Sequence, residues 1–213
     1  MNNNLIINIG RQIGSGGRII AKLLADDFNC TFFDKELLNL AAKESGFSEK
    51  FFEENDEKKG FFKSRFNIQL PILNDHVLFR NSFTQENLYK FQCDAIRKAA
   101  QQGNCVFVGR TADYVLRDEP YKFDIFVTAN IEDRIATVAE REHLSEADAL
   151  KYIEKMEDAR ASYYNYYTGK KWGHANSYDM CVNSSFLGLE LTEKLIYEFI
   201  NQRLEKMQYH SNK

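Results

Sequence analysis

The stretch "LIINIGRQIGSGGRIIAKLLADDF" constrains the fold more than any other part of the chain. Leu5 to Ile9 is short, apolar and mostly β-branched, and Gly10 is expected to stop it, so it reads as a buried strand. "RIIAKLLADDF" then sets Ile19, Ile20, Leu23 and Leu24 on one stripe at helical spacing, with Lys22 and Asp26 outside it. Between the two lies a run of small residues, Gly14, Ser15, Gly16 and Gly17. A strand that turns through glycines into a helix aims several backbone N–H groups at one point, beside the positive end of the helix dipole. The opening unit is therefore of α/β type and is shaped for an anion.

The rest of the chain repeats that grammar. "CTFFD" reads as a second strand ending at Asp34, and "KELLNLAAKES" as a helix closed near Gly46. From Phe47 to Phe83 the period is lost among phenylalanines, the charge run "EENDEKKG" and Pro71, which reads as an irregular or helical insertion. Thr84 is expected to cap a helix with Leu88, Phe91, Ala95, Ile96 and Ala99 on one face, ending at Gly103. "CVFVGR" and "FDIFVTA" read as strands. Asn130 with Asp133 is expected to cap a helix through about Arg141, and Ser145 with Asp148 a longer one through about Tyr167, ended by Gly169. "YDMCVN" gives a final strand and "GLELTEKLIYEFINQRL" a closing helix. Five strands separated by helices predict an α/β fold with a five-stranded parallel sheet covered on both faces.

Bulk properties narrow the partners. The 213 residues suit one fairly large domain, or one carrying an insertion, and the formal net charge is −3, so no overall basic field points to a nucleic acid polymer. An anion site must be a local cluster of arginines and lysines, and the expected partner is small. Cys30, Cys93, Cys105 and Cys181 are widely spaced, with no CxxC pair, and read as reduced, buried thiols. The N-terminus has no basic start, and no apolar run approaches the roughly 20 residues of a spanning helix, so no membrane role and a cytoplasmic location are expected. His76, His143, His174 and His210 form no ligand spacing, and no metal cage is assigned.

Three readings of the glycine loop compete. A dinucleotide fingerprint needs a third glycine where Ile19 stands, leaving only Asp34 as a weak ribose-binding signal. A Walker A loop needs a lysine and a hydroxyl after its last glycine. Registering that glycine at Gly16 puts Arg11 at the first glycine, Gly17 at the lysine and Arg18 at the hydroxyl. The wrap of amides survives, and Arg11 and Arg18 flank it with replacement charge. A plain glycine turn is the third reading, but four small residues in a row cost backbone entropy that a simple turn does not require.

With this loop, "FFDKELL" after the second strand, "VFVGRTADYVL" in the middle and "DARASYYNYYTGKKWG" near the end, the chain resembles the cytidylate kinase-like family, a branch of the P-loop nucleoside monophosphate kinases. The likeness runs from Leu5 to about Leu204. It implies a three-layer P-loop NTPase-type fold in one domain, 1–213, with a substrate cap insertion at about 46–83 and a lid at about 141–173. It also implies ATP at the loop, with magnesium arriving on the nucleotide. The family's middle-strand Gly-Arg, which places its arginine on the acceptor phosphate, maps onto Arg110, and its carboxylate after the second strand onto Asp34. Two departures stand out. Neither Arg18 nor Ile19 supplies the magnesium-binding hydroxyl, and Leu40 stands where an arginine would hold a cytidylate phosphate.

Phosphoryl transfer asks a protein for alignment and positive charge, so arginines are the residues to find. Arg18, Arg110, Arg134 and Arg160 are the catalytic candidates, with Arg141, seven residues beyond Arg134, equally readable as a cation at a helix end. Gly14, Ser15, Gly16, Gly17, Arg11 and Arg18 are the donor-site candidates; Asp34, Arg110 and Asp113 are those of the acceptor site. A salt bridge between Arg110 and Asp113 is the structural alternative. Tyr163 and Tyr167 are expected to pack the lid helix onto the core, with stacking on a base as the alternative. The leading expectation is an ATP-dependent phosphotransferase acting on a nucleoside monophosphate. A non-catalytic nucleotide-binding sensor and a kinase of another small molecule are the rivals; oligomeric state is left open.

Overall fold

The computed structural model describes residues 4–34 and 75–211, with side chains described over 4–34 and 89–207. Contacts divide the chain into two compact units, one of Met1–Phe33 with Ala100–Lys213 and one of Asp34–Ala99. The expected helix "KELLNLAAKES" and the insertion up to residue 74 lie outside the described residues.

The larger unit is built on five strands: β1 (Ile6–Arg11), β2 (Thr31–Phe33), β3 (Cys105–Val108), β4 (Lys122–Thr128) and β5 (Met180–Asn183). They stand in the order β2-β3-β1-β4-β5, and every pairing is parallel. The chain leaves β1 past β3 in one direction and later crosses β1 from β3 to β4 in the other. That reversal opens a crevice at the carboxyl end of β1, where open α/β sheets collect ligands.

β1 runs two residues beyond the expected stop at Gly10, because the longer β4 offers partners for Gly10 and Arg11 at Phe126 and Val127. Gly10 is needed there for another reason: a Cβ on it would come within 2.8 Å of the Phe126 ring. Ile7 and Ile9 face a core shared with Val106, Val108, Ile125 and Val127, closed by Ile20 and Leu24 of α1 (Gly17–Asp27) and by Ile196 and Ile200 of the last helix. On the opposite face the apolar pattern is broken. Asn8 Nδ2 donates to Asp124 Oδ1 at 2.8 Å, and Lys122 pairs with the other Asp124 oxygen. Burial raises the Asp124 pKa above the usual carboxylate range against the pull of Lys122.

The remaining helices are α2 (Asp75–Gln102), α3 (Ala112–Val115), α4 (Ile131–Glu142), α5 (Glu146–Thr168) and α6 (Gly188–Ser211), with a 3-10 turn at Ala175–Ser177. α2 starts well before Thr84, which is therefore an interior residue and not a cap; "DHVLFRNSF" holds neither glycine nor proline, so nothing in the chain interrupts the helix there. In the smaller unit Ala95, Ile96 and Ala99 are buried on this helix at the expected spacing. Asn130 stands at the N-cap of α4, but its side-chain oxygen accepts from Asn183 at 2.9 Å and does not cap the helix. Ser145 and Asp148 do form the expected cap, with Asp148 N–H donating to Ser145 Oγ at 3.2 Å, and Gly169 ends α5 at φ 68°.

Tyr164, not Tyr163 or Tyr167, is the buried tyrosine of α5; the other two pair edge-on at 4.8 Å. Side-chain direction on a helix advances by about 100° per residue, so a neighbour of the residue picked out by spacing can own the inward face. Cys30, Cys93, Cys105 and Cys181 carry free thiols, but only Cys93 and Cys105 are buried; Cys30 is half-buried and Cys181, on the edge strand β5, is exposed. Among the described residues no helix is long and apolar enough to cross a membrane.

Candidate active site

The glycine loop occupies the crevice at the end of β1. Gly14 and Gly16 have φ of 80° and 71°, the left-handed region that a side chain disfavours, and Gly16 is the N-cap of α1 with no side-chain cap. The first turn of α1 also carries no acidic residue, so no side-chain charge there offsets the positive end of the helix dipole. Ser15 is buried, its hydroxyl donating to the Gln12 carbonyl at 3.0 Å, and its own carbonyl accepts from Ser184 Oγ at 2.8 Å.

Arg11 explains two of the glycines. A Cβ on Gly17 would come within 2.5 Å of Arg11 Cβ, and one on Gly109 would collide with Arg11 Nη1. The arginine stem thus fills the space that any side chain at position 17 would need, and its guanidinium reaches across to the end of β3. The Arg11 carbonyl accepts from Arg160 Nη1 at 3.2 Å, which brings α5 to the loop.

Arg134 is almost wholly buried and already engaged. Its Nε donates to the Ile13 carbonyl at 2.8 Å and its Nη2 meets Glu157 Oε1 at 2.5 Å, while the same carboxylate accepts from Ile13 N–H at 3.0 Å. Ile13 itself packs between α4 and α5 against Val138, Ala149 and Ile153. Both peptide groups of Ile13 are therefore clamped from the two helices. Glu157 is the residue that sequence reasoning missed. Its only signal is that it lies one helical turn before Arg160, on the same side of α5.

Beyond β3 the backbone is strained. Gly109, Arg110 and Thr111 follow one another with φ of 75°, 61° and 56°. Two non-glycine residues in that region cost about 1 kcal/mol each, a conformation that persists where surroundings impose it and that clusters at functional sites. Asp113, on α3, accepts from Tyr164 Oη at 2.6 Å and lies 3.8 Å from Lys170 Nζ. Burial, and then the Asp113 charge, push the Tyr164 pKa well up, so its hydroxyl stays protonated and donates.

The structure thus gathers Arg11, Gly14, Ser15, Gly16, Gly17, Arg134 and Arg160 around one loop, and sets Arg110 and Asp113 after the neighbouring strand. Arg18 is exposed, its guanidinium 5.6 Å from the centre of the Phe32 ring. Arg141 is exposed beside Glu142 at 2.8 Å. Asp34 directly follows β2 and belongs to the other unit.

A parallel sheet in this order, with a glycine loop wrapping the end of its central strand, defines a nucleotide-binding kinase fold. The sequence pattern of the cytidylate kinase-like family matches residues 6–186, and the chain belongs to that family. It is similar to the crystal structure of an uncharacterized protein from Eubacterium ventriosum ATCC 27560, at 28% identity and TM-score 0.70, covering 92% of this chain and 98% of that one. The shikimate kinase from Bacteroides thetaiotaomicron shares the fold at 12% identity and TM-score 0.53, covering 92% and 98%. No curated protein matches the chain.

Proposed function

We propose that the protein is an ATP-dependent phosphotransferase acting on a nucleoside monophosphate or a similar small phosphate acceptor. The observation that carries this reading is the exchange at the loop. The Arg11 stem fills the room that a side chain at position 17 would take, beside a helix end that no side chain caps. Gly14 and Gly16, in conformations a side chain would resist, suit the close approach of a donor phosphate. Magnesium, bound on the triphosphate, would spread the charge of the transferring group; with no hydroxyl at positions 17–19, the ion arrives with the nucleotide.

In this reading the amides of Ser15 to Gly17 hold the donor phosphates, and Arg11 and Arg18 supply the positive charge. Arg160 closes on the transferring group from the stretch at about 141–173, the proposed lid. Arg110 takes the acceptor phosphate through its planar fork, and Asp34 is the carboxylate proposed to orient the acceptor. Arg134 serves as a positioning residue, because its Nε and Nη2 are committed to Ile13 and Glu157. Asp113, held by Tyr164 and Lys170, fixes the turn that presents Arg110.

A coupled ADP-release assay over a panel of nucleoside monophosphates is expected to show turnover with at least one acceptor, and Arg110→Ala to raise the acceptor KM more than tenfold. Tight nucleotide binding with no turnover for any acceptor would instead favour a nucleotide sensor. That reading draws on the absence of the loop lysine and hydroxyl.

A further inference from the structure

Large apolar side chains are exposed on α1, on α6 and in the turn that precedes α6. Ile19, Phe186, Leu187, Leu191 and Leu195 are exposed at 54, 77, 43, 55 and 43%. Leu191 and Leu195 lie one helical turn apart on α6, and Phe186 and Leu187 stand in the turn that leads into it. Ile19 belongs to the neighbouring helix, whose N-cap Gly16 abuts Leu189. Large apolar side chains gathered in this way mark an interaction surface.

We infer that this face is the contact between two copies of this chain, related by a two-fold axis that crosses α6 near Leu191. The charges around it select that partner. Lys22 and Asp26 on α1, with Glu190, Lys194 and Glu198 on α6, are exposed and of both signs. A membrane-binding face would be rimmed by cations, and a contact with a strongly charged partner would carry one sign. A mixed rim is what a patch needs to complement itself.

The register supports the same conclusion. Glu190 and Lys194 are four residues apart, on one flank of Leu191 and Leu195. A two-fold reverses the direction of the second helix but keeps that flank on the same side of the seam. Crossing at Leu191 puts Leu191 against Leu191 of the second copy and Lys194 within reach of Glu190 of the second copy, twice over.

Sedimentation equilibrium on the full chain over micromolar concentrations tests this. The wild type is expected to be dimeric, and Leu191→Glu monomeric with an unchanged far-ultraviolet dichroism spectrum. Lys194→Glu alone is expected to weaken the dimer about tenfold, and adding Glu190→Lys to restore it, since both symmetric pairs return with signs reversed. A wild-type monomer throughout the range, or a dimer indifferent to both Leu191→Glu and Lys194→Glu, overturns the inference. So does a monomer that floats with phosphatidylserine vesicles through these leucines, which would make a lipid surface the occupant.

Discussion

Arg134→Met is expected to destabilise the protein by about 3 kcal/mol, because it leaves the Glu157 carboxylate buried opposite an apolar stem. Arg134 is 5% and Glu157 18% exposed at the side chain, so water screens little of that loss. For a chain of this length the melting temperature should fall by about 6–12 °C. Adding Glu157→Gln removes the stranded charge while keeping an acceptor for Ile13 N–H, and more than half of the loss should return. Thermal unfolding of the three variants checks this. A residue whose work was to touch phosphate would behave in the opposite way, with an unchanged melting temperature and a large loss of nucleotide affinity.

Gly14→Ala should be comparably severe, for a different reason. Its φ of 80° already costs a side chain about 1 kcal/mol. The added Cβ would also come within 2.7 Å of the Arg134 carbonyl oxygen and 2.9 Å of its Cα. These are backbone atoms of α4 and cannot swing aside, so the loop must move. The expected loss is about 2–3 kcal/mol in urea unfolding, with nucleotide affinity down at least tenfold as the amides are re-aimed. Gly103→Ala supplies the control. A Cβ there meets nothing within 4 Å, and the substitution should be close to neutral.

The strands and the loop were legible in the sequence because their signals are local. Apolar runs, glycines and the Ser145–Asp148 cap each specify their conformation within a few residues. What escaped depends on partners distant in the chain. The extension of β1 through Arg11 is set by the length of β4, and the loss of the Asn130 cap by Asn183. The Asn8–Asp124–Lys122 cluster stands in strands that composition alone reads as apolar. Glu157 lies 144 residues from Ile13, whose N–H it accepts, and no spacing rule reaches that far. The arginines were identifiable as a set, yet their division of labour was not. Sequence equates Arg134 with Arg160, whereas burial commits Arg134 to supporting the loop and leaves Arg160 half-buried beside the Arg11 carbonyl.

The Arg11 stem also explains why glycine stands at 17. Restoring lysine there without removing Arg11 would force the lysine Cβ against the Arg11 stem. Gly17→Lys alone should therefore weaken the site, and only together with Arg11→Gly should the lysine find room.

Titration calorimetry with magnesium-ATP, on the wild type, Arg11→Ala and the double variant Arg11→Gly/Gly17→Lys, tests the central claim most directly. Wild type should release or absorb measurable heat. Arg11→Ala should bind about tenfold more weakly or worse, the loss of a charge-assisted contact, and the double variant should regain most of that affinity. No heat from the wild type with any purine triphosphate at millimolar concentration, or undiminished binding by Arg11→Ala, would contradict the account.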